Sequence, residues 1–138
     1  MTATLPCASN WDVDINYQNS SGLIVYYDFQ KIRIGVLNVN DVLGASYYPP
    51  NKNKVFAVSY TLDDAAEGST LILELLKNGS SLGTPVLITI PAQSYSGYLD
   101  CSQTEFLTTD TCSLKVNQVG STYPGNNICI VLHSYHTT

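Results

Sequence analysis

Two histidines, two close pairs of acids and four cysteines are the residues of this chain whose types could do chemistry. A serine or cysteine nucleophile needs an imidazole base beside it. The histidines are His133 and His136, both among the last residues of the sequence, and they read as solvent-facing tail residues. Three positions apart on a strand, their rings would point to opposite faces, which makes them a poor metal pair. Paired carboxylates are the other acid–base device. Asp12 and Asp14 alternate with Val13 and Ile15, which puts them on the wet face of a strand, while Asp63 and Asp64 open the polar loop DDAAEGS. That loop has the oxygens of a calcium site without its spacing. There is no Gly-rich phosphate loop, no G-x-S-x-G turn and no H-E-x-x-H helix. The expectation is a protein without catalytic residues, bound metal or cofactor, and not an enzyme.

Cys7, Cys101, Cys112 and Cys129 contain no C-x-x-C unit, so zinc and redox chemistry are disfavoured. Buried free thiols and disulfides both remain open. If a bridge forms, Cys101 with Cys112 is the expected pair, because their short separation would close a loop between neighbouring strands.

The elements that must position these residues are strands. Apolar residues recur with a period of two: Val13, Ile15 and Tyr17; Ile32, Ile34 and Val36; Phe56, Val58 and Tyr60 on one strand face; Leu71, Leu73 and Leu75; Val86, Ile88 and Ile90. Leu23 to Tyr27 is a short continuous apolar run, and ASYYPPNKNK, residues 45–54, reads as a loop carrying exposed Tyr47 and Tyr48. Lys77-Asn78-Gly79 is a tight turn, Pro91 closes the return strand, and residues 95–99 form a short edge. KVNQVGSTYPGNNICIVL, residues 115–132, reads as a final β-hairpin. The expected fold is an antiparallel β-sandwich, jelly-roll-like, of eight or nine short strands. Residues 13–138 make one domain, and residues 1–12 form an arm or edge segment.

The surface follows from composition. Charged residues are only 12% of the chain, net charge is −5, and there are ten tyrosines. With one arginine and scattered lysines, no basic stripe can neutralise successive phosphates, so nucleic acid is not an expected partner. No apolar run approaches the roughly 18 residues of a membrane span, and the first residues lack the pattern of a secretory signal. Trp11, Tyr26, Tyr27, Tyr47 and Tyr48 are the candidate interface residues. Together with Tyr95 and Tyr98, they are equally the rings on which a sugar could stack.

LILELLKNGSSLGTPVLITIPAQS, followed by LTTDTCSLKVNQVGSTYPGNNICIVL, resembles the β-sandwich domains of tailed-bacteriophage virion proteins, a jelly-roll, TNF-like family. Lys77-Asn78-Gly79, Thr84-Pro85, Thr109-Asp110, residues 119–122 and Pro124-Gly125 match in order. The resemblance implies a domain that commonly forms homotrimers, in capsid decoration proteins or in receptor-binding heads of tails. The expected function is a capsid decoration (cement) protein, made in the host cytoplasm and placed in the virion, with itself and the major capsid protein as partners. A trimeric head that binds host-surface glycan is the alternative. The chain has no stalk-like segment of the kind that precedes tail heads, which favours the first.

Overall fold

The structure, a computed structural model, describes residues 13–18, 25–47, 49 and 52–136, and for 13–18, 25–27 and 44–47 it gives the backbone alone. Its elements are β1 (Val13–Gln18), β2 (Val25–Val36), β3 (Val42–Tyr47), β4 (Asn53–Asp64), β5 (Leu71–Lys77), β6 (Ser80–Ile90), β7 (Ser96–Phe106), β8 (Cys112–Gln118) and β9 (Asn126–His136). Among the described residues there is no helix. The proposed arm, residues 1–12 with Trp11, lies outside the described residues.

Two antiparallel sheets face each other, one ordered β1-β2-β9-β4-β7 and the other β3-β8-β5-β6. From β2 to β9 this is jelly-roll order, with β1 added at the edge. The alternating apolar residues explain the closure, since each sheet must bury one face. Phe29, Val58, Tyr60, Leu62, Ile128, Ile130 and Leu132 meet Leu43, Leu71, Leu73, Leu75, Ile88, Ile90, Leu114 and Val116 across the core. Each such side chain contributes roughly 1.5–3 kcal/mol on burial.

Turn chemistry sets where the chain reverses. Asn78 (φ 56°) and Gly79 (φ 76°) both adopt left-handed backbone, as a two-residue hairpin turn requires. The long connection before β9 is different. Glu67 N–H donates to the Tyr123 carbonyl at 2.9 Å, and Thr122 N–H donates to the Glu67 carbonyl at 2.9 Å. A Cβ at Gly120 would collide with the carbonyl oxygens of Tyr123 and Glu67, so only glycine fits there.

Several expectations are corrected. Residues 115–132 are not a hairpin: β8 pairs with β3 and β5, whereas β9 pairs with β2 and β4 in the opposite sheet. Both strands present an apolar face to the same core from opposite sides, and the connection bridges the sheets. The apolar run ending at Tyr27 and the strand Ile32 to Val36 are not separate, because β2 is continuous from Val25 to Val36; residues 23 and 24 lie outside the described residues. On it the facing is reversed: Lys31 is fully buried while Ile34 is 68% exposed. Residues 45–54 are less of a loop than expected, with β3 reaching Tyr47 and β4 starting at Asn53. The edge at residues 95–99 is an 11-residue strand, β7, whose polar residues conceal it. Finally, Phe56 does not share a face with Val58 and Tyr60, because β4 carries a bulge between Val55 and Ala57.

Candidate functional site

The bulge in β4 lies against His133, the residue that sequence alone places in the tail. His133 sits on β9, the middle strand of the five-stranded sheet, directly opposite Asp28 on β2 and Ala57 on β4. Paired residues point to the same side of a sheet. Ser59 lies two residues beyond Ala57 and so shares that outer face.

These three side chains form a line. Asp28 Oδ1 is 2.7 Å from His133 Nδ1, and His133 Nε2 is 3.0 Å from Ser59 Oγ. The His133 and Asp28 side chains are only 19% and 10% exposed. With Nδ1–H donating to the carboxylate, Nε2 is the acceptor for the Ser59 hydroxyl. The walls are aromatic. Tyr98, opposite Ser59 on β7, places its ring centroid 5.4 Å from that of His133, and Phe56 lies 6.5 Å away on the other side. Phe56 also packs on Tyr135, whose hydroxyl donates to Gln103 at 3.0 Å. Partial burial first, then the carboxylate of Asp100, pushes the Tyr98 phenol above its ordinary range, with Cys101 and Asp28 adding to the effect. Its hydroxyl is therefore neutral at physiological pH.

A second concave feature lies at the loop end of the sandwich. Asp64, Ala65, Glu67, Tyr95 and Tyr123 line an open cleft of about 250 Å³. Asp63 and Asp64 are the last residues of β4 rather than loop residues. Asn127 donates to Asp63 at 2.7 Å and Asn126 donates to Asp64 at 3.2 Å, which clamps β4 to β9.

The structure separates most of the residues singled out from sequence. Cys101 and Cys112 are free thiols, which corrects the expected bridge. The reason is topological: β7 and β8 are not neighbours but belong to opposite sheets. Burial, with Asp100 adding to it, pushes the Cys101 thiol up to about 11. Burial pushes Cys112 up to about 12 against the opposing pull of Lys31. Such thiols are poor nucleophiles at neutral pH. Cys129 is disulfide-bonded. Of the interface candidates, Trp11 and Tyr48 lie outside the described residues. Tyr26 and Tyr27 are on β2 and Tyr47 is on β3, all with undescribed side chains. Tyr95 and Tyr98 are 57% and 56% exposed but belong to different places, the cleft and the outer sheet face. Asp28 and Ser59 carried no sequence signal, since their partner lies 105 and 74 residues away.

No protein-family model and no curated protein matches the chain.

Proposed function

We propose that this jelly-roll sandwich is a virion structural protein, a capsid decoration (cement) protein that acts as a homotrimer bound to the major capsid protein. The observation that carries the reading is an exposed aliphatic group around the β2–β3 connection. Ile34 is 68% exposed, Val36 45%, Val39 49% and Val42 51%. Exposed aliphatic residues on both strands beside this connection favour contact with another protein chain. The turn motifs shared with tailed-phage virion domains support the same reading, as does the sparsely charged surface. Light scattering is expected to give the mass of three chains, and Ile34→Asp with Val42→Asp is expected to dissociate them. A solution mass of 15.0 kDa at micromolar concentration defeats the trimer.

A second reading, a head domain that binds host-surface glycan, is favoured by the loop cleft. Two tyrosine rings beside the carboxylates of Asp64 and Glu67 offer a sugar both stacking and hydrogen-bond acceptors. Calorimetric titration with surface saccharides separates the readings: heat that disappears in Tyr95→Ala supports the glycan head, and no heat from any saccharide supports cement.

A further inference from the structure

The line of carboxylate, imidazole and hydroxyl on the outer sheet face has no part in either role, and it goes beyond both. We propose that Ser59 is an activated nucleophile toward small carboxylic esters with good leaving groups, with His133 as its general base and Asp28 as the residue that holds the imidazole. The separations of 2.7 Å and 3.0 Å are hydrogen-bond distances of the kind a nucleophile, base and orienting acid require. Each member stands on a different strand, and the three strands are adjacent in one sheet, so backbone pairing holds the geometry on both sides of His133. The bulge at Phe56 adds the extra residue that shifts β4 along His133 at this point, and bulges serve to re-aim side chains beside reactive sites. The half-exposed ring of Tyr98, on the residue paired with Ser59, leaves an apolar wall beside the hydroxyl.

The step balances without a further reagent. Ser59 Oγ bonds to the ester carbonyl carbon while its proton passes to His133 Nε2. The bond from that carbon to the alcohol oxygen then breaks, and the departing alcohol takes the proton from the imidazolium. Water repeats the sequence on the acyl-serine, releasing the acid and restoring Ser59. β4 is hydrogen-bonded to strands on both sides, so its amides are engaged and give little to a developing oxyanion. The gain is therefore that of a positioned base, about 10²–10⁴-fold over an ordinary serine, without the further 10²–10³-fold of dedicated oxyanion donors. That restricts the substrates to activated esters.

The test is to treat the full chain with p-nitrophenyl acetate and, separately, with diisopropyl fluorophosphate, and to locate the adduct by peptide mass spectrometry. The expected result is a burst of about one phenolate per chain with the acetyl on Ser59, absent in Ser59→Ala. His133→Gln, which keeps a polar side chain at that position, is expected to slow labelling of Ser59 by about 10²-fold or more. Asp28→Asn is expected to move the pH–rate profile as well as lower the rate, which a merely structural role would not do. Wild-type protein that carries no adduct on Ser59 overturns the proposal, and so does labelling of Ser59 at an unchanged rate in folded His133→Gln. Neither result depends on oligomeric state or on sugar binding, so the proposed function stands or falls separately.

Discussion

Strand β2 carries polar groups to both faces of the same sheet. Asp28 points outward, to an imidazole on the next strand, while Lys31 points inward and is fully buried. Burial lowers the Lys31 ammonium from 10.5 to about 7, against the smaller opposing pull of Cys112. The outer group sits in a directional chain that orients a hydroxyl. The inner one is set in the core, where desolvation of its ammonium costs stability. The pleat makes both placements equally accessible, so the face a polar group meets is decided by its place in the alternation rather than by its residue type.

The contrast between the faces is broken most directly by truncation on β9. Ile130→Ala, in the core, is expected to cost about 2–5 kcal/mol. Its outward neighbour Val131→Ala is expected to cost less than about 1 kcal/mol. Urea denaturation checks both, and equal losses would mean that the two faces are packed alike.

Next in size, Lys31→Met should stabilise the fold by about 1–4 kcal/mol near neutral pH, since it removes the cost of desolvating the amine and fills the same space with an apolar chain of similar length. The sign with pH follows from the lowered value. The unfolded chain holds a proton on this lysine that the folded chain has released, so wild-type stability should rise as pH increases from about 7. The thiols act oppositely. Their folded values lie above the ordinary 9.0, so stability is lost as pH rises beyond it. Thermal melts of the wild type should therefore peak near pH 9, and Lys31→Met should lose the rising limb.

On the outer face, His133→Ala leaves Asp28 and Ser59 without their shared partner, at about 1–3 kcal/mol. A smaller loss would place both groups in water after the ring is removed. The smallest effect belongs to a clasp between turns. Asp110 accepts from Leu107 N–H at 2.9 Å and from the Asn78 side chain at 3.0 Å, and these two contacts, in that order, hold its carboxyl below the usual range. Asn78→Gly, which tolerates the left-handed backbone at this position, should cost about 0.5–1 kcal/mol. The contribution is present above the ordinary aspartate value of 3.8 and is lost on acidification below it, which melts at decreasing pH will detect.

The fold class was legible because alternation reports burial residue by residue, and Asn78-Gly79 names its own turn. Sheet membership was not, because the chain between β8 and β9 takes its shape from Glu67, a residue far from it in sequence. The inward turn of Lys31 was hidden by a rule that sends lysine to water, and β7 by its position at a sheet edge, where few apolar residues are needed. The outer-face line was illegible for the simplest reason: three strands separated by most of the chain contribute one residue each. The alternating pattern cannot say which strands become neighbours.

Strand β9 lies between β2 and β4, yet it is made after both. A ribosome that has delivered residues 13–118 has supplied eight strands, but the larger sheet is still two unconnected ribbons, β1 with β2 and β4 with β7. Each ribbon exposes an unpaired edge and an uncovered apolar face until the last strand inserts and joins them. Folding of this domain thus has a late, long-range closing step, slow relative to helical domains of its size, and the nascent chain is sticky for as long as the gap stays open.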